Sequence, residues 1–260
     1  MDIKTIIRKE IIEGLRNYRF LVILVAILFF AIFDPVMNKL LLPELLRSQF
    51  PNMPAEVMRE MLITTQADNI RGYLGNVYQL STLIITFTLS GLLAQEISER
   101  TLILPVSTGK RYEEILLGKF FVFGTYLVLV TTLSALVNYV YTGVLFGFQL
   151  PSVLPAMRAG LLLAGHMLYV LALLLVFGSL IRKPVGAGMV TLLAVYGTRV
   201  IGSVFDLHRF LPSGLLVEAE LLAAAPSYMV WGSISATIAI IVVLISFTVI
   251  RLTNLELTRG

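Results

Sequence analysis

EISERTLILPVSTGKRYEEILLGK, residues Glu96–Lys119, decides how this chain is read. It carries four acids (Glu96, Glu99, Glu113, Glu114) and four bases (Arg100, Lys110, Arg111, Lys119). The runs on either side, Gly72 to Gln95 and Phe120 to Met157, carry no charge at all. A charged side chain at the middle of a bilayer costs roughly 2.5–3.5 kcal/mol on insertion scales. The stretch therefore sits in water between two membrane spans. It is longer and richer in order signals than a plain connection, which predicts a docking element for another protein.

Working outward, the 260 residues are 57% hydrophobic and 14% charged, against about 45–50% and 25% in a soluble domain. Several uncharged runs exceed the ~20 residues that cross the hydrocarbon core. An all-α polytopic membrane protein with a single transmembrane domain follows, with no room for a soluble catalytic domain. There are no cysteines, so disulfides, thiolate nucleophiles and cysteine metal sites are excluded. The charged, periodic start does not read as a cleaved signal peptide.

Residues 1–19 predict an amphipathic helix in the membrane interface. Ile3, Ile6, Ile7, Ile11 and Leu15 form its apolar face, and Lys4, Arg8, Lys9, Glu13 and Arg16 cover the rest. Six spans are expected at 20–37, 75–95, 120–148, 154–181, 185–205 and 227–250. Asp34-Pro35 marks the outer end of the first, because proline disfavours helix at the residue before it. An extracellular loop covers 38–71, and the central loop 96–119. Residues 206–226 are too apolar for a free loop and too short to cross twice, so a re-entrant or interfacial pair is expected there. Positive charge sets the orientation. Thirteen Lys and Arg fall on the face that holds the termini and the central loop, and seven on the other. Both termini and 96–119 are therefore expected in the cytoplasm, with the chain multi-pass in the cell membrane.

A phosphate-binding loop needs GxxxxGK[ST]. Gly109-Lys110 has Leu104 where the first glycine belongs, and Gly118-Lys119 has Glu113 there. The chain is thus not expected to hydrolyse ATP, to be an enzyme, or to bind a cofactor or metal. Two histidines, His166 and His208, are too few for a histidine metal site. Candidates for a pathway or outer gate are Asn138, His166, Arg199 and Asp206. Each also has a plain structural reading: a helix–helix contact for Asn138, a satisfied interior histidine for His166, and an arginine snorkelling to the outer headgroups for Arg199. Asp206 lies on the face of Arg199, and is its partner, if that helix continues. Gly143 and Gly147 form one GxxxG, a pattern of close helix contact.

These parts together resemble a permease subunit of the ABC type-2 exporter family, with the six-span architecture of type V exporters. The family's motif in the second-to-third-span loop is an acid near the end of the second span, Gly-Thr-Leu, Pro-x-Ser-Arg, and Gly-Lys opening the third span. Here Glu96 and Glu99 match the acid, Thr101-Leu102 the Thr-Leu, Pro105-Val106-Ser107 the Pro-x-Ser, and Gly118-Lys119 the Gly-Lys. Arg100 stands where glycine is usual, Thr108 where arginine is common, and about one helical turn is missing between Thr101 and Pro105.

The resemblance implies a coupling helix that docks on a separate ATPase subunit, which would hold the ATP and magnesium. The residues so assigned are Glu96, Glu99, Arg100, Thr101, Pro105, Ser107, Lys110, Arg111, Tyr112, Glu113, Gly118 and Lys119. Ser107 or Thr108 would cap that helix near Gly109, hinged at Pro105. A second permease chain, identical or related, would complete the pathway. Lipid bilayer is the remaining partner, and nucleic acid is not one. The apolar walls favour a lipid-like, peptide or amphipathic drug-like cargo. A sodium-extruding permease and a partner-independent secondary transporter are the competing readings; the latter calls for inverted repeats, and none stands out in the sequence.

Overall fold

The computed structural model describes residues 3–51, 54, 56–57, 62, 65–101, 111–150, 152–222 and 228–257. Helix dominates them, and no strand occurs among the described residues. The helices are α1 (Ile3–Arg16), α2 (Arg19–Gln49), α3 (Gln66–Ser98), α4 (Tyr112–Phe146), α5 (Leu154–Leu180), α6 (Pro184–Phe205), α7 (Ser213–Glu220) and α8 (Tyr228–Leu257). Six of them (α2, α3, α4, α5, α6 and α8) are long and apolar enough to cross a membrane, as a multi-pass membrane protein requires.

The central helix is α5, which touches α3, α4, α6, α7 and α8. In its most apolar window 78% of residues are buried, against 22% in α6 and in α8. The exposed sides of α6 and α8 carry Met189, Leu193, Val242 and Val243, the composition of a lipid-facing wall. Helix α1 packs on α4 and α2. Starts are set by local chemistry: Thr65 caps α3 by accepting from the Asp68 N–H at 3.1 Å, and Pro184 opens α6 where its missing N–H costs nothing.

Several expected boundaries move. The helix that carries the first expected span does not stop at Asp34-Pro35: it runs through both to Gln49, with a π-helical turn at Met37–Leu41. Pro35 has no N–H, so the carbonyl four residues back, on Ala31, loses its helical donor. The Asn138 side-chain amide supplies one instead, Nδ2 donating to the Ala31 oxygen at 3.0 Å, with both residues buried. The proline thus sits inside a continuous helix because a neighbouring helix satisfies what it leaves open. Helix accordingly occupies the first part of the loop expected over 38–71, through Gln49, and the next long helix starts at Gln66.

The helix that carries the second expected span is likewise longer than 75–95. It contains a π-turn at Val77–Ser81 and a break at Ser90. The third begins at Tyr112 rather than 120, so Tyr112 and Glu113 belong to its first turn. It ends at Gly147, whose φ of 87° favours glycine. Phe148 then folds back over Gly143, where an added Cβ would strike its ring, whereas a Cβ at Gly147 would have open space around it. At this end Gln66 bridges α3 and α4: its Oε1 accepts from the Gln149 and Leu150 N–H groups at 2.9 and 3.0 Å, and its Nε2 donates to the Tyr139 carbonyl at 3.1 Å.

Candidate functional site

Helices α3 and α4 are antiparallel, and the ends joined by residues 99–111 lie against α1. There Lys119, fully buried, donates to both oxygens of the equally buried Glu10 at 2.9 Å and to Glu96 Oε1 at 2.8 Å. Lys9 reaches Glu96 Oε1 at 3.0 Å, Glu10 Oε1 at 3.2 Å and Glu13 Oε2 at 3.5 Å. Arg19, at the start of α2, closes the set on Glu13 at 3.2 Å. Three acids and three bases from α1, α2, α3 and α4 form one neutral network.

The chain builds this site from small local choices. Ile6, Glu10 and Gly14 are spaced four apart and make the buried stripe of α1. Gly118 lets that stripe approach, because an added Cβ there would strike the Ile6 side chain. The next residue, Lys119, then meets Glu10. Glu10, Glu13 and Glu96 present oxygens within 4.8 Å of one another, and the two lysine ammonium groups already supply positive charge among them. Glu96 Oε2 is buried with no hydrogen-bond partner among the described residues. Burial opposes the Lys9 charge, yet the carboxylates of Glu96, Glu10 and Glu13 outweigh it and hold the Lys9 pKa above the usual lysine value. Its contribution to stability is therefore complete below the ordinary lysine pKa and is lost only as pH rises through the higher folded value.

The residues assigned to coupling divide accordingly. Glu96, Gly118 and Lys119 are buried, so they cannot themselves be the surface that meets another subunit. Glu99, Arg100, Thr101, Arg111 and Glu113 are exposed and Tyr112 is half-buried. Pro105, Ser107 and Lys110, the expected cap and the Pro105 hinge lie outside the described residues. Glu10 was not singled out by the sequence; the available signal was an acid in register with Ile6 and Gly14.

Arg100 ends α3 in the left-handed region, φ 59°. Its N–H bonds the Ile97 carbonyl at 3.3 Å and the Thr101 N–H bonds that of Glu96 at 3.0 Å. This is the helix stop in which the first residue past the cap favours glycine, and glycine is the residue this loop lacks there. Arg100→Gly should stabilise the protein by about 1 kcal/mol, since the side chain is exposed and the left-handed backbone costs a non-glycine residue roughly that much. Denaturant unfolding in detergent measures it; an unchanged or lower stability would show that Arg100 makes a compensating contact.

The pathway candidates do not form one site. Asn138 belongs to the α2–α4 contact described above. His166 is fully buried, its ring centre 5.0 Å from that of Tyr78 and 5.9 Å from that of Tyr169. Arg199 stacks on the other side of this group, 4.6 Å from the Tyr78 ring centre, with Glu220 Oε1 at 4.0 Å. The expected Arg199–Asp206 pair does not form: α6 ends at Phe205, Asp206 takes φ 52° and faces solvent, and the helical register that would align them is lost. Among residues 206–222, α7 instead packs on α5 and α8. Arg71 holds the end of α7, Nε donating to the Glu220 carbonyl at 3.0 Å. Burial raises the Glu220 carboxyl pKa, and Arg199 and Arg71 offset this in part.

No protein-family model matches the chain, and no curated protein matches it either.

Proposed function

We propose that this chain is the membrane-spanning permease subunit of an ATP-driven exporter, coupled through residues 96–119 to a separate ATPase subunit and paired with a second permease chain. The observation that supports it most is the Lys119–Glu10–Glu96 contact. It ties both ends of the charged loop to the N-terminal helix and, through Arg19, to the first span. A force on the loop then moves α1, α2, α3 and α4 together instead of bending a slack connection. The ends of that loop, Glu99–Thr101 and Arg111–Glu113, present charge and a tyrosine for a protein surface.

In this reading the termini and the loop are cytoplasmic, and α1 lies in the interface with Ile11 and Leu15, both exposed, toward lipid. Residues 206–226 form the outer, re-entrant cap, and the cargo is lipid-like, a peptide or an amphipathic drug. ATP binding in the partner shifts the equilibrium between permease conformations only by its differential affinity for them. The ATPase to test is the product of a neighbouring reading frame that carries a phosphate-binding loop. It should co-purify with this chain, and Glu99→Ala/Lys110→Ala/Arg111→Ala should abolish co-purification while the protein still folds. Undiminished capture of the ATPase by the triple variant removes the coupling assignment. In nanodiscs with both partners, ATPase stimulation by sodium alone would replace the amphipathic cargo with an ion.

A further inference from the structure

Beside the ion network lies an open cleft of about 750 Å³ between α1 and the end of α3. Its volume is in the range of small-molecule sites, about 300–1,000 Å³. Four cations line it: Arg8, Lys9, Arg16 and Arg19. Three acids, Glu13, Glu96 and Glu99, also line it, so the lining is +4 − 3 = +1. Those acids are engaged: Glu96 with Lys9 and Lys119, Glu13 with Arg19 and Lys9, and Glu99 accepting from the Gln95 amide at 2.8 Å. Arg8 and Arg16 are exposed and have no carboxylate partner among the described residues. Eight residues apart, they stand about 12 Å apart along α1, with the exposed Ile12 between them.

We infer that this cleft binds the phosphate of an anionic phospholipid, with Arg8 and Arg16 holding the headgroup and Ile12 against the upper acyl chain. Guanidinium groups match phosphate oxygens in geometry as well as charge. The surroundings select a lipid over a soluble partner. Exposed Ile11, Leu15, Leu21 and Val22 continue the apolar surface from α1 onto the first span, so what reaches the cleft from that side arrives through the membrane. The inference does not depend on the transport reading, because the cleft lies where the apolar spans end, level with headgroups in whichever leaflet.

The test uses the full chain purified in a neutral detergent and its thermal unfolding midpoint as readout. Dioctanoyl-phosphatidylglycerol should raise the midpoint saturably, and dioctanoyl-phosphatidylcholine should not. Arg8→Ala/Arg16→Ala should leave the lipid-free midpoint unchanged and weaken the apparent affinity about 30-fold, taking ~1 kcal/mol for each basic residue at 1.4 kcal/mol per factor of ten. Each single variant should weaken it about fivefold on the same arithmetic, which carries the test if the double variant does not fold. An equal response to phosphatidylcholine, or a full response from the variants, overturns the inference. Inorganic phosphate reproducing the whole shift makes this a free-anion site and overturns the lipid assignment.

Discussion

Lys119→Ala should destabilise the protein by about 3–5 kcal/mol, the cost of leaving a buried charge without its partner. Lys119 is the only cation that reaches both oxygens of Glu10 among the described residues. Lys9 touches one of them at 3.2 Å from a half-exposed position and is shared with Glu96 and Glu13. Glu96 keeps Lys9; Glu10, with no exposed surface, keeps little. The damage is therefore one of charge and not of lost volume. Lys119→Met with Glu10→Leu removes one charge of each sign and leaves Glu96–Lys9 and Glu13–Arg19 in place. That double variant should recover most of the loss, as buried ion pairs replaced by apolar residues of similar size often do. Unfolding in detergent, read as a double-mutant cycle, decides it. A Lys119→Ala protein within about 0.5 kcal/mol of the parent, or a double variant as unstable as the single, refutes the buried-network reading.

The same double variant separates holding from transmitting. On the proposed permease reading, if the network carries motion from the loop to the first expected span, the variant folds and still captures the proposed ATPase, whose activity then no longer responds to cargo. A variant that folds, captures and responds like the parent makes the network a staple alone.

Charge and hydropathy are local properties, and what depends on them was legible. The uncharged runs marked six helices long and apolar enough to cross a membrane, and the charge cluster marked the connection between two of them. The site was only half legible, because burial is not local. Glu96 and Lys119 stood out as motif residues at the loop ends. That they turn inward together follows from Glu10, 109 residues from Lys119 along the chain, and from Gly118 opening space for Ile6. Arg199 was placed on one face with Asp206 by a helical register that the left-handed backbone of Asp206 interrupts. Its actual partners, Tyr78 and Glu220, come from elements that no spacing rule links to it. The start of the expected docking helix lies outside the described residues, so for Pro105, Ser107 and Lys110 the sequence remains the argument.

Pro35 shows most directly how a neighbour overrides a local rule, and it yields a cycle with a sign. Asn138→Leu should cost about 1–2 kcal/mol, within the range for a buried carbonyl left unpaired and at the upper end for hydrogen bonds between membrane helices. The carbonyl at stake, on Ala31, is open only because Pro35 has no N–H. Pro35→Ala restores a donor four residues on and lets the helix satisfy its own carbonyl. The Asn138→Leu penalty should then fall to a few tenths of a kcal/mol in the Pro35→Ala background, since a satisfied carbonyl no longer needs the amide. The two substitutions are thus coupled by about 1 kcal/mol although neither side chain replaces the other. Equal Asn138→Leu penalties in the two backgrounds would place the cost in packing at Asn138. Pro35→Ala alone should leave stability close to the parent, with the Met37–Leu41 π-turn free to relax toward α-helix.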